Sequence, residues 1–282
     1  MKGSKTDTRI NSATVKRKEF FCMEKISENR ENRLYSDLSW IWPLWGDLEK
    51  EYGVYCEKVS RIFEETARNP IKTVLDIGCG GGKNLYHLKK RYAVTGLDLS
   101  PHMLSLANDL NPTCETILGD MRSFSLNRMF DAVLIDDAVS YMIDQTELRM
   151  VFDCAFKHLN PGGVMVVTPD RTRENFVQNE TITTLGEKTI EGDRFEVVFI
   201  ENVYDADEAD SVYEDIMIFC IRKNGKLTIE TDRHRLGVFS FADWRHCIQE
   251  TGFILSEYED TYPFDRQMYT TYGGLKPFSA GS

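Results

Sequence analysis

Positive charge is scarce in this chain: across 282 residues, 34 Lys and Arg stand against 45 Asp and Glu, a net charge of -11. That balance argues against nucleic acid as a partner, because phosphate contacts need clustered Lys and Arg. Long apolar runs are missing as well. None approaches a membrane span, and the basic start of the chain (Lys2, Lys5, Arg9, Lys16, Arg17, Lys18) is not followed by the apolar stretch of a secretory signal. A cytoplasmic protein with no membrane partner is expected. That start has almost no apolar periodicity and reads as a disordered tail, with Met23 as an alternative first residue. Seven cysteines and five histidines are scattered without a Cys-x-x-Cys pair, which fits reduced thiols and leaves no usual zinc spacing, so no metal site is expected.

What is present is concentrated in residues 74–84. Val74, Leu75 and Ile77 supply a buried β run broken only by Asp76, and Gly78, Gly80, Gly81 and Gly82 follow it directly. Leu85, Leu88 and Tyr92 then recur at helical spacing, so the unit is strand, glycine turn, helix, which binds nucleotide-like ligands at the strand's carboxyl end. A phosphate-binding P-loop fails here because Asn84, not Ser or Thr, follows Gly82-Lys83. A dinucleotide fingerprint fails because Lys83 stands where a small residue is required.

Acids recur at the ends of the strands that follow. Residues 93–97 close on Asp98, twenty residues after Gly78, the spacing at which an acid reaches ribose hydroxyls. Residues 115–118 lead to Gly119-Asp120-Met121, and residues 132–135 to Asp136-Asp137. Asp76, Asp98, Asp120, Asp136 and Asp137 should therefore share one sheet edge, the usual ligand crevice of an open α/β sheet. Such an edge repels a polyphosphate and suits a ligand with a sulfonium, an ammonium and ribose hydroxyls. The electrostatics favour S-adenosyl-L-methionine.

The pattern Asp76-x-Gly78-x-Gly80-x-Gly82 resembles motif I of the class I S-adenosylmethionine-dependent methyltransferases. The resemblance implies that Gly78 and Gly80 line the cofactor, that Asp76 acts on its amino group directly or through water, that Asp98 with the adjoining Leu99 meets the ribose, and that Asp120 and the Met121 backbone meet the adenine. Asp136 joins this cofactor set. In relatives of this family an N-terminal Tyr folds over the cofactor, which makes Tyr35 a lid contact.

The expected fold is α/β: a Rossmann-like, doubly wound, mostly parallel seven-stranded sheet with an inserted antiparallel β cap. Core strands lie at 74–77, 93–97, 115–118, 132–135 and 164–168, and the last two at 253–258 and 267–275. Segment 34–70, with Tyr35, Trp40, Trp42, Trp45, Tyr52 and Tyr55, reads as an aromatic helical segment or lid. The core occupies 71–193, the cap 194–238 and the completing helix and strands 239–282, after a tail over 1–33. Lys223-Asn224-Gly225-Lys226 is a hairpin turn within the cap. This organisation looks like the glycine N-methyltransferase-like and amino-sugar N,N-dimethyltransferase branches, and Trp42-Pro43-Leu44-Trp45-Gly46 with His234-x-x-Gly237-x-Phe239 resembles a group of uncharacterised bacterial and archaeal small-molecule methyltransferases.

The expected activity is methylation of a small-molecule acceptor, with nitrogen ahead of oxygen. A small-molecule O-methyltransferase and a catalytically silent regulatory protein that binds the cofactor are the alternatives. Asp137, Tyr141 and His234 are the candidates for taking a proton from the acceptor. Monomer and homodimer both stay open.

Overall fold

The computed structural model describes residues 32–261 and 268–278. The basic tail, Met23 and Gln267 lie outside the described residues.

Five strands build the parallel sheet: β1 (Thr73–Ile77), β2 (Ala93–Asp98), β3 (Glu115–Leu118), β4 (Phe130–Ile135) and β5 (Leu159–Val167). Three helices of the N-terminal half, α1 (Gly53–Thr66), α2 (Lys83–Leu88) and α3 (Pro101–Leu110), pack on one face through Val59, Ile62, Phe63, Leu85 and Leu104. The other face is covered by α4 (Gln145–Lys157) and α5 (Phe241–Glu250), through Leu148, Val151, Phe152, Trp244 and Ile248. Burial on both faces explains why β1, β4 and β5 read as continuous apolar runs. The strands β10 (Ile254–Thr261) and β11 (Met268–Leu275) complete seven, in the order β10-β11-β5-β4-β1-β2-β3, with β11 antiparallel to β5. The order reverses at β1, between β2 and β4, and that reversal opens a crevice at the strands' carboxyl ends.

Helix starts follow local chemistry. The Ser100 hydroxyl accepts the Met103 amide with Pro101 in the first turn of α3, and Ser240 and Asp243 form a reciprocal capping box on α5. Asp144 accepts the Glu147 amide at α4, but Glu147 reaches back to the Ile143 amide and pairs with Arg122 instead of closing the box.

The cap is a separate four-stranded antiparallel sheet: β6 (Glu180–Ile190), β7 (Asp193–Tyr204), β8 (Val212–Lys223) and β9 (Lys226–Gly237). Its first strand precedes the expected boundary at 194, which the structure moves to 180. Strand β6 alternates Thr and Glu with only Ile182, Leu185 and Ile190 as large apolar residues, so its hydrophobic signal is weak. The aromatic segment also departs from a regular helix. It runs through 3₁₀ turns at Arg33–Tyr35 and Ser39–Leu44, the second containing Pro43, and a π turn at Leu48–Tyr52 before α1 begins. Leu34, Leu38, Ile41 and Leu44 of this segment bury themselves against Val197, Phe199, Met217 and Phe219 of the cap.

Gly186 of β6 permits that packing. A Cβ there would stand 2.2 Å from the Leu44 carbonyl oxygen, a backbone atom that cannot swing away. Gly186→Ala should therefore cost about 1–3 kcal/mol by overpacking. It should also speed hydrogen exchange in residues 33–44; an unchanged thermal midpoint with unchanged exchange would show that the contact is not needed.

Candidate active site

The glycine turn is shaped by contacts that exclude side chains. Gly78 has φ +74, and a Cβ on it would lie 2.3 Å from that of Ala138. The amides of Gly78 and Cys79 donate to the Leu97 carbonyl at 2.7 and 3.0 Å, which fastens the turn to the end of β2. There the Asp98 carboxylate accepts the Gly80 amide at 2.8 Å and the Ser100 amide at 2.8 Å. Two backbone donors thus fix its orientation, although burial still raises its carboxyl above the ordinary range.

A cavity of about 1410 Å³ spans from this turn to the cap. Pockets for one small ligand usually measure roughly 300–1,000 Å³, so there is room for a cofactor and an acceptor together. Ten of the twelve residues singled out from the sequence line it: Tyr35, Gly78, Gly80, Asp98, Leu99, Asp120, Met121, Asp136, Asp137 and Tyr141. Asp76 and His234 do not.

Asp76 is fully buried beneath the turn, and neither carboxylate oxygen has a hydrogen-bond partner among the described residues. Burial, then the charges of Asp136 and Asp98, push its carboxyl well above the carboxylate range. An unsatisfied buried acid at this point is what a cationic group, or a water carrying its contact, would complete. Asp120 is held by Arg122 at 2.7 Å, and that hydrogen bond keeps its carboxyl below the ordinary value. Asp136 accepts the Asn84 side-chain amide at 2.9 Å. Asp137 opens onto the cavity; desolvation by the surrounding walls, and next the charges of Asp136 and Asp170, raise its carboxyl.

His234 corrects an expectation. It was expected to face the acceptor, but β9 carries it into the interior with no exposure, behind Tyr141. Its Nε2 is hydrogen-bonded to Asp232 at 2.8 Å and its Nδ1 to the Tyr141 hydroxyl. Tyr141 and Tyr35 are in turn hydrogen-bonded through their hydroxyls at 3.1 Å. The imidazole therefore reaches the cavity only through tyrosine oxygens.

The cap contributes acids that sequence reasoning missed. Asp215 lies on β8 in the same alternation as Tyr213, Met217 and Phe219, and Glu201 lies on β7 in that of Val197, Phe199 and Val203. An acid at an apolar-facing register position on each of two paired strands was the available signal. Both residues line the cavity, and burial pushes the Glu201 carboxyl up to about 8 and that of Asp215 to about 6. Lys83, on the first turn of α2, was also passed over as a lid contact. Its ammonium donates to the Trp45 carbonyl and stands over the Trp42 ring at 4.3 Å. Among the described residues no group of three or more His, Cys, Asp or Glu could hold a metal ion. No helix among them is long and apolar enough to cross a membrane.

The donor set fits S-adenosylmethionine: an orphaned carboxylate under a glycine turn, an oriented acid at the end of β2 and a crevice rich in negative charge. Comparison with known proteins agrees. Residues 74–163 match the family model of the methyltransferase domain. A dTDP-3-amino-3,6-dideoxy-alpha-D-glucopyranose N,N-dimethyltransferase of Streptomyces fradiae is 28% identical over 206 residues, covering 72% of this chain and 78% of that protein. A dTDP-3-amino-3,4,6-trideoxy-alpha-D-glucopyranose N,N-dimethyltransferase of Streptomyces venezuelae is 36% identical over 123 residues, 43% of this chain and 51% of that one. The crystal structure of Streptomyces venezuelae DesVI shares the fold, with a TM-score of 0.72 at 24% identity over 86% of this chain and 97% of that chain. The strand-and-turn unit that builds the crevice is thus the part matched as a methyltransferase domain, and over 72% of its length the chain is similar to an amino-sugar N,N-dimethyltransferase.

Proposed function

We propose that the protein methylates a nitrogen of a small-molecule amine held between the carboxyl edge of the parallel sheet and the four-stranded cap. The observation that carries this reading is the lining of the cavity, where nine carboxylates face three Lys or Arg side chains, an environment that attracts an amine. The relatives' names give dTDP-linked amino sugars as their acceptors, and the amino group is the element carried over to this chain.

In this reading Gly78, Gly80, Leu99 and Met121 shape the cofactor site, Asp98 holds the ribose hydroxyls, Asp120 the adenine side and Asp76 the amino group. Bound there, S-adenosylmethionine supplies an electrophilic methyl on a sulfonium; the new N–C bond forms as the S–C bond breaks, and the product ammonium sheds a proton. The chain's own work is placement and proton handling. Asp137, which opens onto the cavity at the end of β4, accepts a hydrogen bond from the acceptor amine and takes its proton. Tyr141 orients the amine, and His234, through Asp232, fixes the direction of the Tyr141 hydroxyl; His234 is a positioning residue.

Removing Asp98 tests the cofactor site. Charged hydrogen bonds are worth about 1.5–3 kcal/mol, so Asp98→Ala should weaken S-adenosylmethionine binding at least roughly tenfold. Calorimetry that finds the affinity unaltered would refute the assignment.

Incubation with cofactor and a panel of primary amines should release S-adenosylhomocysteine and give N-methylated product by mass spectrometry. Asp137→Asn and Tyr141→Phe should each lower kcat by about 10–100-fold, the lower part of the range for acid–base groups, with cofactor affinity nearly unchanged. His234→Ala should lower kcat and shift the pH profile. Cofactor binding without turnover on any amine would favour the silent-binder alternative instead.

The ligand-free protein should also lose stability as the pH rises. Glu201 keeps a proton to about 8 in the folded state, whereas its ordinary value is 4.5. The stabilisation linked to this group is therefore complete below pH 4.5 and lost as the pH climbs through 8. Glu201→Gln should flatten that part of the thermal-midpoint curve, and identical slopes for the two proteins would show that Glu201 does not titrate in this way.

A further inference from the structure

The cap end of the cavity narrows the acceptor beyond the presence of one amine, an inference that rests on the N-methylation reading. Five carboxylates line that end: Asp137, Asp170, Glu180, Glu201 and Asp215. Arg171 is the one Lys or Arg that meets them there; it pairs with Glu180 at 2.7 Å and lies 3.8 Å from Asp170, and its Nε has no hydrogen-bond partner among the described residues. The two other such cations on the cavity wall are committed. Arg122 pairs with Asp120 at 2.7 Å and Glu147 at 2.5 Å, and the Lys83 ammonium is spent on the lid carbonyls of Trp45 and Gly46.

Asp215 supplies an independent observation. Its residue is only 5% exposed, it lines the cavity, and its Oδ1 has no hydrogen-bond partner among the described residues. A buried carboxylate oxygen left without a donor is costly, and an ammonium, directly or through a water, would complete it. Glu201 stands on the neighbouring strand, whose residue Val203 is the register partner of Asp215. Asp137, by contrast, enters from the carboxyl end of β4, on the core side. The acids therefore come from two separate walls, one beside the reacting amine and one on the cap.

We infer that the acceptor carries at least two ammonium groups and no phosphate: one amine is presented beside Asp137 for methylation, and a second seats against Asp215 and Glu201. A nucleotide diphosphate, the handle named in the relatives' acceptors, would meet five carboxylates at this end against the single guanidinium of Arg171. A dication instead completes the orphaned Asp215 oxygen and displaces the proton that Glu201 keeps in the ligand-free protein.

The test is a calorimetric titration of the full chain, saturated with S-adenosylhomocysteine, using spermidine as a linear polyamine, 2-deoxystreptamine as a cyclic diamine and thymidine diphosphate as the anionic probe. At least one of the amines should bind about tenfold or more tightly than thymidine diphosphate. Asp215→Asn and Glu201→Gln should each weaken that binding roughly tenfold, as expected for loss of a charge-assisted hydrogen bond. The inference is overturned if neither amine binds, if thymidine diphosphate binds as well as the amines, or if both substitutions leave amine affinity unchanged; Glu201→Gln keeps the test valid should Asp215→Asn fail to fold. The two readings fail separately. A bound diamine that is never methylated removes the N-methylation reading, while methylation of a dTDP-linked amino sugar with tight thymidine diphosphate binding removes only the diamine.

Discussion

Carboxylates collect along one edge of this protein because β2 ends in an acid, β1 carries one at its last position but one, and β3 and β4 run directly into others; a second sheet then closes over that edge and restricts the water that would screen them. Each acid meets that constraint differently. Asp98 is held by backbone amides, Asp136 by an asparagine and Asp120 by a guanidinium, whereas Asp76 below the turn and one oxygen of Asp215 on the cap receive no hydrogen bond from the described residues. A purely structural network would be expected to satisfy all of them, since partly satisfied buried networks are unfavourable. One gap lies beneath the glycine turn and the other on the cap wall of the cavity.

The aromatic segment before β1 depends on the same edge. Trp42 packs so closely on the glycine turn that a Cβ on Gly81 would lie 2.4 Å from its ring, and the Ser100 hydroxyl donates to the Tyr35 carbonyl at 2.5 Å. On its far side the segment fills the inner face of the cap with Leu34, Leu38, Ile41 and Leu44. It therefore touches the turn and the cap at once. Lys83 reinforces this connection at a cost, because burial lowers its ammonium to about 8 while Glu51 and Asp47 oppose that shift.

Much of the core was legible because parallel strands buried on both faces leave uninterrupted apolar runs, and because Ser100-Pro101, Asp144 and Ser240 with Asp243 mark helix starts through local hydrogen bonds. Strand β6 was not legible: its Thr and Glu residues face solvent on alternate positions, and its pairing partner β7 supplies most of the apolar surface. The 3₁₀ and π turns of the aromatic segment escaped for a related reason, since their shape is set by packing against the turn and the cap and not by a repeat of their own. In the site, the acids that end strands could be read because spacing alone places them. The tyrosine–histidine chain could not, for its members come from an N-terminal turn, the segment after β4 and strand β9, and only the tertiary fold brings them together.

That chain also explains why a histidine without exposure sits so near the cavity. One oxygen of Asp232 accepts both His234 Nε2 and the Leu34 amide at 2.7 Å, so a single buried carboxylate seats the lid and sets the imidazole. Burial opposes the Asp232 charge, yet these donors hold its carboxyl below the ordinary value. Through its other ring nitrogen, Nδ1, the imidazole meets the Tyr141 hydroxyl. The Leu34 amide and the Tyr35 hydroxyl, neighbours on one turn, thus tie the N-terminal segment to Asp232 and Tyr141 together. The lid seat and the direction of the Tyr141 hydroxyl are in this way one hydrogen-bonded unit, and a cavity closed by the segment is also a cavity whose tyrosine is aligned.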